Sequence, residues 1–267
     1  MNDSDNSPAA TAPRIRAEGA SDTGLVRAHN EDYYLLVPEH RLFLLADGMG
    51  GHNAGEIASR VALESARDFF IRTVEQADVT WPYPLQPGIS LESNRVLTSL
   101  RAANSRVLEE AGKDSERTGM GTTAVALLIA DGKFHIANLG DSRAYRLRGG
   151  ELTQVTRDHS LVAEQVAAGA ISEAEAEASP YKNVITRACG IREGILPDIF
   201  IDEVQPGDIF VMCSDGLSNM VSDLSIAQVV DAHRGDLATA CWALIEEANK
   251  AGGEDNITVV LVSVDAI

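Results

Sequence analysis

Residues 41–51, RLFLLADGMGG, constrain this chain more than any other stretch. The apolar run 42–46 is short and is bounded by a polar residue and glycines, so it reads as a buried strand. Such a strand would hold Asp47 rigidly at its end, and the glycines behind it would let backbone carbonyls come close to an ion. Asp-Gly is also the strongest short hairpin signal. Asp131-Gly132, between two alternating apolar runs, is that kind of turn. Asp47-Gly48 instead runs into a helical pattern, and the same arrangement recurs at Asp215-Gly216. On this stretch alone, turn and ion site are equally good readings.

Composition narrows the partners. At 267 residues and 45% apolar content the chain can bury a substantial core. A net charge of −18 makes nucleic acid and anionic membranes poor partners, because both repel an acidic protein. Cys189, Cys213 and Cys241 are odd in number, widely spaced and without a CxxC pair, which fits a reducing compartment better than a disulfide framework. No run approaches the roughly 20 apolar residues of a membrane helix. A cytoplasmic protein is expected.

Residues 1–13 are too polar to bury and predict a disordered tail ahead of one domain over 14–267. A first strand over 14–20 closes at the turn-like residues 21–24. After the glycine loop, Ile57, Val61 and Phe69 at multiples of four predict a helix with one apolar face. Residues 76–90, with Trp81, Pro82, Pro84, Pro87 and Gly88, predict a stiff loop whose aromatics either cover the core or offer a docking surface. A second helix carries Val96, Leu100, Ala103 and Val107 on one stripe and stops near Gly112. Strand runs over 122–130, 133–139, 142–148 and 151–156, joined by short turns, predict antiparallel sheet. Helical spacing returns over 160–178, where Ser172 and Glu175 form a capping box. A turn at Pro206-Gly207, a buried strand over 209–214, a helix over 237–251 ended by Gly252-Gly253, and a strand over 257–264 complete the chain. Strands and helices segregate in blocks, so the class is α+β in layers.

Acidic residues at strand ends carry the chemistry. Asp47 ends a strand in ADGMGG, Asp141 follows one in LGDSR, Asp215 ends one in CSDG, and Asp255 precedes one in GEDNIT. Glu31-Asp32 in RAHNEDYY is a fifth cluster. Singly each is better read as a turn or helix cap. Together they would repel unless cations neutralise them, and with no Cys/His spacing of the zinc type they select hard ions, Mg²⁺ or Mn²⁺.

The ordered set RAHNED, DGMGGH, GMGTT, GDSRAY, DHS, CSDGL and GEDNITVV resembles the metal-dependent type 2C Ser/Thr protein phosphatases, bacterial branch, over residues 14–265. The resemblance implies a four-layer αββα sandwich, two antiparallel β-sheets packed face to face and flanked by helices. It implies Asp47 as the bridging ligand of two ions, with the Gly48 carbonyl on the second, and Asp215 and Asp255 completing the first. Asp141 with Asp215 would hold a third ion near a flap over 160–190, while Glu31 and Asp32 would anchor ion-bound waters or, for Glu31, bind directly. Asn256 would lie just outside the ligands, and Arg27 would take the phosphate. Water activated between two ions would attack phosphorus, so no Ser or Cys nucleophile is needed. His52 would either protonate the leaving oxygen or cap the following helix, and His29, His159 and Cys213 are expected to be structural. The expected substrates are phosphoserine and phosphothreonine proteins, acted on by a monomer that opposes a Ser/Thr kinase. The alternative is a catalytically weak scaffold of the same fold that binds phosphoproteins.

Overall fold

The structure is a computed structural model in which residues 14–51, 54–76 and 78–265 are described; the expected tail over 1–13 and His52 lie outside them. In chain order, β1 (Arg14–Asp22), β2 (Asp32–Val37) and β3 (Leu42–Met49) precede the long helices α1 (Ala54–Glu75) and α2 (Leu91–Ala111). Then come β4 (Gly121–Thr122), β5 (Ala124–Ala130), β6 (Lys133–Leu139), β7 (Arg143–Arg148) and β8 (Glu151–Gln154). The short helices α3 (Leu161–Ala167) and α4 (Glu173–Glu177) lead to β9 (Asp198–Glu203) and β10 (Ile209–Cys213). The chain closes with α5 (Asp215–Ser218), α6 (Asp223–Ala232), α7 (Leu237–Lys250) and β11 (Ile257–Asp265).

Two antiparallel sheets face each other. One has the order β1-β11-β10-β7-β8 and the other β2-β3-β5-β6-β9, with β4 paired to β3. Alternation along each strand sorts the side chains. Phe43, Leu45, Leu127, Phe210, Met212 and Val260 meet between the sheets. On the outer faces, α1 and α2 cover Leu44, Ala126 and Ala137, while α6 and α7 cover Val211, Val259 and Leu261. The expected four-layer αββα order is the observed one.

The hairpin expected at Asp131-Gly132 is present, with φ of 51° and 73° at the two residues, the left-handed pair a tight hairpin needs. The Ser172–Glu175 capping box is present too. Trp81 of the 76–90 loop packs edge-on against Phe69, ring centroids 5.7 Å apart, and the Arg101 guanidinium lies over the Tyr83 ring, so these aromatics cover the helices.

Some expectations change. The buried stripe of α1 is Ala54, Ala58, Ala62 and Ala66 with Leu63 and Phe70, and Ile57 and Val61 are only partly buried at its flank. Small residues win that face because the helix starts almost in contact with β3; a Cβ on Gly48 would collide with the Gly55 carbonyl. Thr123 divides the expected strand 122–130 into β4 and β5, since its amide is drawn to the Asp47 carbonyl at 2.9 Å. The strands β2 and β9 and the helix α6 carry no clear periodicity in the sequence, whereas α5 begins where a helical pattern was expected after Asp215-Gly216. In β9 only Ile199, Phe200 and Ile201 separate acids, and the strand exists because β6 offers an unpaired edge.

Candidate metal centre

The acidic residues gather where strands of both sheets end. Asp32 and Asp47 are direct partners in the β2–β3 ladder, so their side chains stand side by side. They share the strand face of Tyr34 and Leu45, which points at the opposite sheet. From that sheet, Asp215 opens α5 just after β10 and Asp255 sits just before β11. Asp141 lies in the β6–β7 connection.

Their mutual influence shows in their proton affinities. Burial first, then repulsion from Asp32, Asp215, Asp141 and Asp255, lifts the Asp47 carboxyl well above the ordinary range. Burial also pushes Asp32 up to about 7, with Asp215 and Asp255 adding to it. Asp141 likewise rises to about 7, through burial and then Asp215. Asp215 is raised by burial and then by Asp255. Glu31 is raised by burial, partly offset by the Gly55 amide and Arg27. These are acids that the fold holds where they do not ionise readily.

Local packing explains how the fold keeps them there. A Cβ on Gly55 would stand 2.6–2.8 Å from the Glu31 carboxylate, so only glycine admits that side chain at the start of α1. A Cβ on Gly216 would strike the Asn256 carbonyl, and one on Gly24 the Asp255 carbonyl. Asn256 is the hub. Its Oδ1 accepts the Glu31 amide at 2.8 Å, and its Nδ2 donates to the Thr23 and His29 carbonyls at 2.9 Å each. Hydroxyls fix the rest. The Asp47 amide donates to Thr123 Oγ1 at 2.9 Å, and Thr123 Oγ1 lies 2.7 Å from Ser142 Oγ. Ser214 donates to Asp32 Oδ2 at 2.7 Å, and Asn219 Nδ2 donates to Asp215 Oδ2 at 3.1 Å. The amide of Asp32 donates to Asn30 Oδ1 at 3.1 Å.

Fit to a cation can be judged from the oxygens left over. Among the described residues, Glu31 Oε1, Asp32 Oδ1 and Asp215 Oδ1 are buried without a hydrogen-bond partner. Buried carboxylate oxygens with neither donor nor counter-ion are costly, and a cation relieves that cost. No three His, Cys, Asp or Glu side chains among the described residues enclose one ion position by themselves. Ions of the Mg²⁺ kind complete their coordination sphere with water. With only oxygen donors present, the set fits a hard divalent cation and disfavours zinc.

Arg27 stands at the rim. Its Nη2 donates to Asp255 Oδ2 at 2.7 Å, and over half its side chain is exposed. His159 is buried, accepts the Gly140 amide on Nδ1 at 3.1 Å and has Nε2 3.3 Å from Asp198, while burial lowers its proton affinity. It is a structural histidine. The His29 side chain is exposed and contributes only its carbonyl to Asn256. Cys213 is buried with its thiol pushed up to about 12, as an inert core residue would be. The 160–190 segment is stitched at its base by Cys189 to Thr122 and by Ser160 to Ile185, leaving Tyr181 and Val184 exposed.

Sequence reasoning missed Asn30, Thr123, Ser142, Ser214 and Asn219, whose roles are hydrogen bonds to backbone and carboxylates remote in the chain. Asn30, Thr123, Ser142 and Ser214 stand inside the quoted motifs RAHNED, GMGTT, GDSRAY and CSDGL, which was the only trace.

A model of the protein phosphatase 2C family matches residues 26–249. The serine/threonine phosphatase stp of Listeria monocytogenes serovar 1/2a is 36% identical over 259 residues, covering 94% of this chain and 96% of its own. The serine/threonine protein phosphatase PstP of Mycobacterium tuberculosis is 38% identical over 250 residues, covering 94% of this chain and 45% of PstP. The crystal structure of M. tuberculosis PstP/Ppp superposes with a TM-score of 0.82 at 37% identity, over 94% of this chain and 99% of that one. A PstP catalytic domain in complex with two manganese ions superposes with a TM-score of 0.79, over 94% of this chain and 99% of that one.

Proposed function

The chain belongs to the protein phosphatase 2C family, and from that premise we propose that it hydrolyses phosphoserine and phosphothreonine on proteins, using Mg²⁺ or Mn²⁺ and opposing a Ser/Thr kinase. The observation that carries this reading is the buried carboxylate set with unpartnered oxygens on Glu31, Asp32 and Asp215. The solved relative with two manganese ions supports the metal. We take residues 14–267 as the phosphatase domain.

Asp47 would serve two ions, helped on one by the Gly48 carbonyl and on the other by Asp215 and Asp255. Asp141 with Asp215 would hold a third, and Glu31 and Asp32 would act directly or through water. When bound, these ions supply an activated water as nucleophile and offset charge on the phosphoryl group, in a chain of net charge −18. The protein's own part is orientation. Asp32 and Asp47 are fixed by the β2–β3 register, and Asp215 by the close approach of Gly216 to Asn256. Arg27 spends one N–H on Asp255, and a guanidinium has five, so the fork can still engage phosphoryl oxygens. All these groups come from one chain, so a monomer suffices, and free buried cysteines suit the cytoplasm. Among the described residues no helix is long and apolar enough to cross a membrane.

Phosphate release from a phosphothreonine peptide, measured with Mn²⁺ and with chelator, tests the reading. Turnover should need the ion and vanish in EDTA. Full turnover in EDTA would overturn the metal dependence. Retained peptide binding without turnover would favour the scaffold alternative, although Asp47, Asp141, Asp215 and Asp255 are all in place.

A further inference from the structure

Two large aliphatic side chains stand in water directly beside Arg27, the residue proposed above to take the phosphate. Leu25 is 69% exposed and Val26 68%, and Arg27 follows them. A single exposed leucine means nothing. This pair differs because the backbone beneath it is held from several sides. The Leu25 amide donates to the Gly253 carbonyl at 2.8 Å, and the Gly24 amide to Asp22 Oδ1 at 2.9 Å. Gly24 adopts φ +76°, which other residues rarely reach, and sits against Asp255. Asn256 grips the loop at both ends, through the Thr23 and His29 carbonyls at 2.9 Å. A Cβ on Gly253 would come within 2.9 Å of Leu25 Cγ, so the leucine leans on a surface cleared for it. The ordering cost of this apolar step is therefore met by the fold itself, the condition under which exposed side chains give binding energy most effectively.

Resting on the phosphatase reading, we infer that Leu25 and Val26 form a specificity step for the residue next to the phosphorylated serine or threonine, and that the preferred substrate carries a large aliphatic side chain there. The occupant follows from continuity with the phosphate position. Consecutive Cα atoms are about 3.8 Å apart, so a peptide whose phosphate meets Arg27 places its neighbouring residue within reach of Val26 and Leu25. Charge narrows it further. Asp22 holds the loop through the Gly24 amide and the chain carries a net charge of −18, so an acidic neighbour would be repelled while an aliphatic one buries surface against Leu25 and Val26.

The test compares kcat/KM on two phosphothreonine peptides that differ only in the flanking residue, leucine or serine, with 4-nitrophenyl phosphate as a substrate that has no flank. The wild type should prefer the leucine peptide about tenfold, the size of effect one apolar contact provides. In Leu25→Ser/Val26→Ser the ratio should fall toward one, and in the conservative Leu25→Met/Val26→Ile it should persist; melting curves establish that each variant is folded. Equal use of both peptides by the wild type, or a preference that survives the double serine variant, overturns this inference while leaving the phosphatase reading intact. Failure to release phosphate from either peptide or from the ester removes the phosphatase reading, and this inference with it.

Discussion

Arg27 commits one guanidinium N–H to Asp255 at 2.7 Å, and what a phosphate would meet is the remaining fork. Lysine keeps the charge but loses planar, paired donors. Arg27→Lys should therefore lower kcat/KM on a phosphothreonine peptide by about tenfold, roughly 1.4 kcal/mol, with little change in melting temperature because the side chain is largely exposed. Unchanged kinetics would make Arg27 a rim residue only. Asp141 poses the opposite question. It shares its surroundings with Asp215 and is lifted to about 7, yet it lies outside the β2–β3 pair. Asp141→Ala should leave two ions bound in a calorimetric titration and cut phosphopeptide turnover at least tenfold. Full activity with one ion fewer would take the third ion out of the reaction.

Two glycines at element starts make contrasting demands. At Gly55 the obstacle to a side chain is the end of the Glu31 carboxylate, a flexible group that can swing away, and alanine favours a helix by up to about 1 kcal/mol. Gly55→Ala should fold with nearly normal stability while displacing Glu31, so calorimetry should show weaker Mn²⁺ binding. At Gly216 the obstacle is the Asn256 backbone carbonyl, which belongs to the loop that also holds Glu31 and Thr23. That group has nowhere to move. Gly216→Ala should cost about 2 kcal/mol or more, read as a lower melting temperature with or without ions. Similar behaviour of the two variants would mean that these contacts do not position the carboxylates.

Across the whole molecule, the clustered acids set how stability depends on pH. Asp32 and Asp141 titrate near 7 in the folded chain and near 3.8 when unfolded. Between those values the folded chain holds protons that the unfolded chain has released, so stability falls as pH rises through the window. In EDTA the melting temperature should decline from about pH 4.5 to 7. Divalent ions compete with those protons, so Mn²⁺ should raise the melting temperature more at pH 7.5 than at pH 5.5. A chelated protein that grows steadily more stable over that range would contradict the picture of repelling buried carboxylates.

What the sequence determined by itself was local. Asp215 and Asp255 beside strand ends, Asp47 near the end of a β3 that runs two residues further to Met49, the Asp131-Gly132 hairpin, the Ser172 cap and the helix α7 all follow from spacings within a few residues. The order of the motifs then pointed to the family, and so to the layers. Only the tertiary structure decided which segments lie together. Asp32 faces Asp47 because β2 pairs with β3 in one register, and a slip of β2 by one residue would turn Asp32 away from Asp47. Ser214 reaches Asp32 across 182 residues of chain, and Thr123 reaches the Asp47 amide across 76. The alanine face of α1 and the edge strand β9 are likewise products of what packs against them. A hydroxyl or a small side chain carries no periodicity of its own, so its role appears only once another element has come within 3 Å of it.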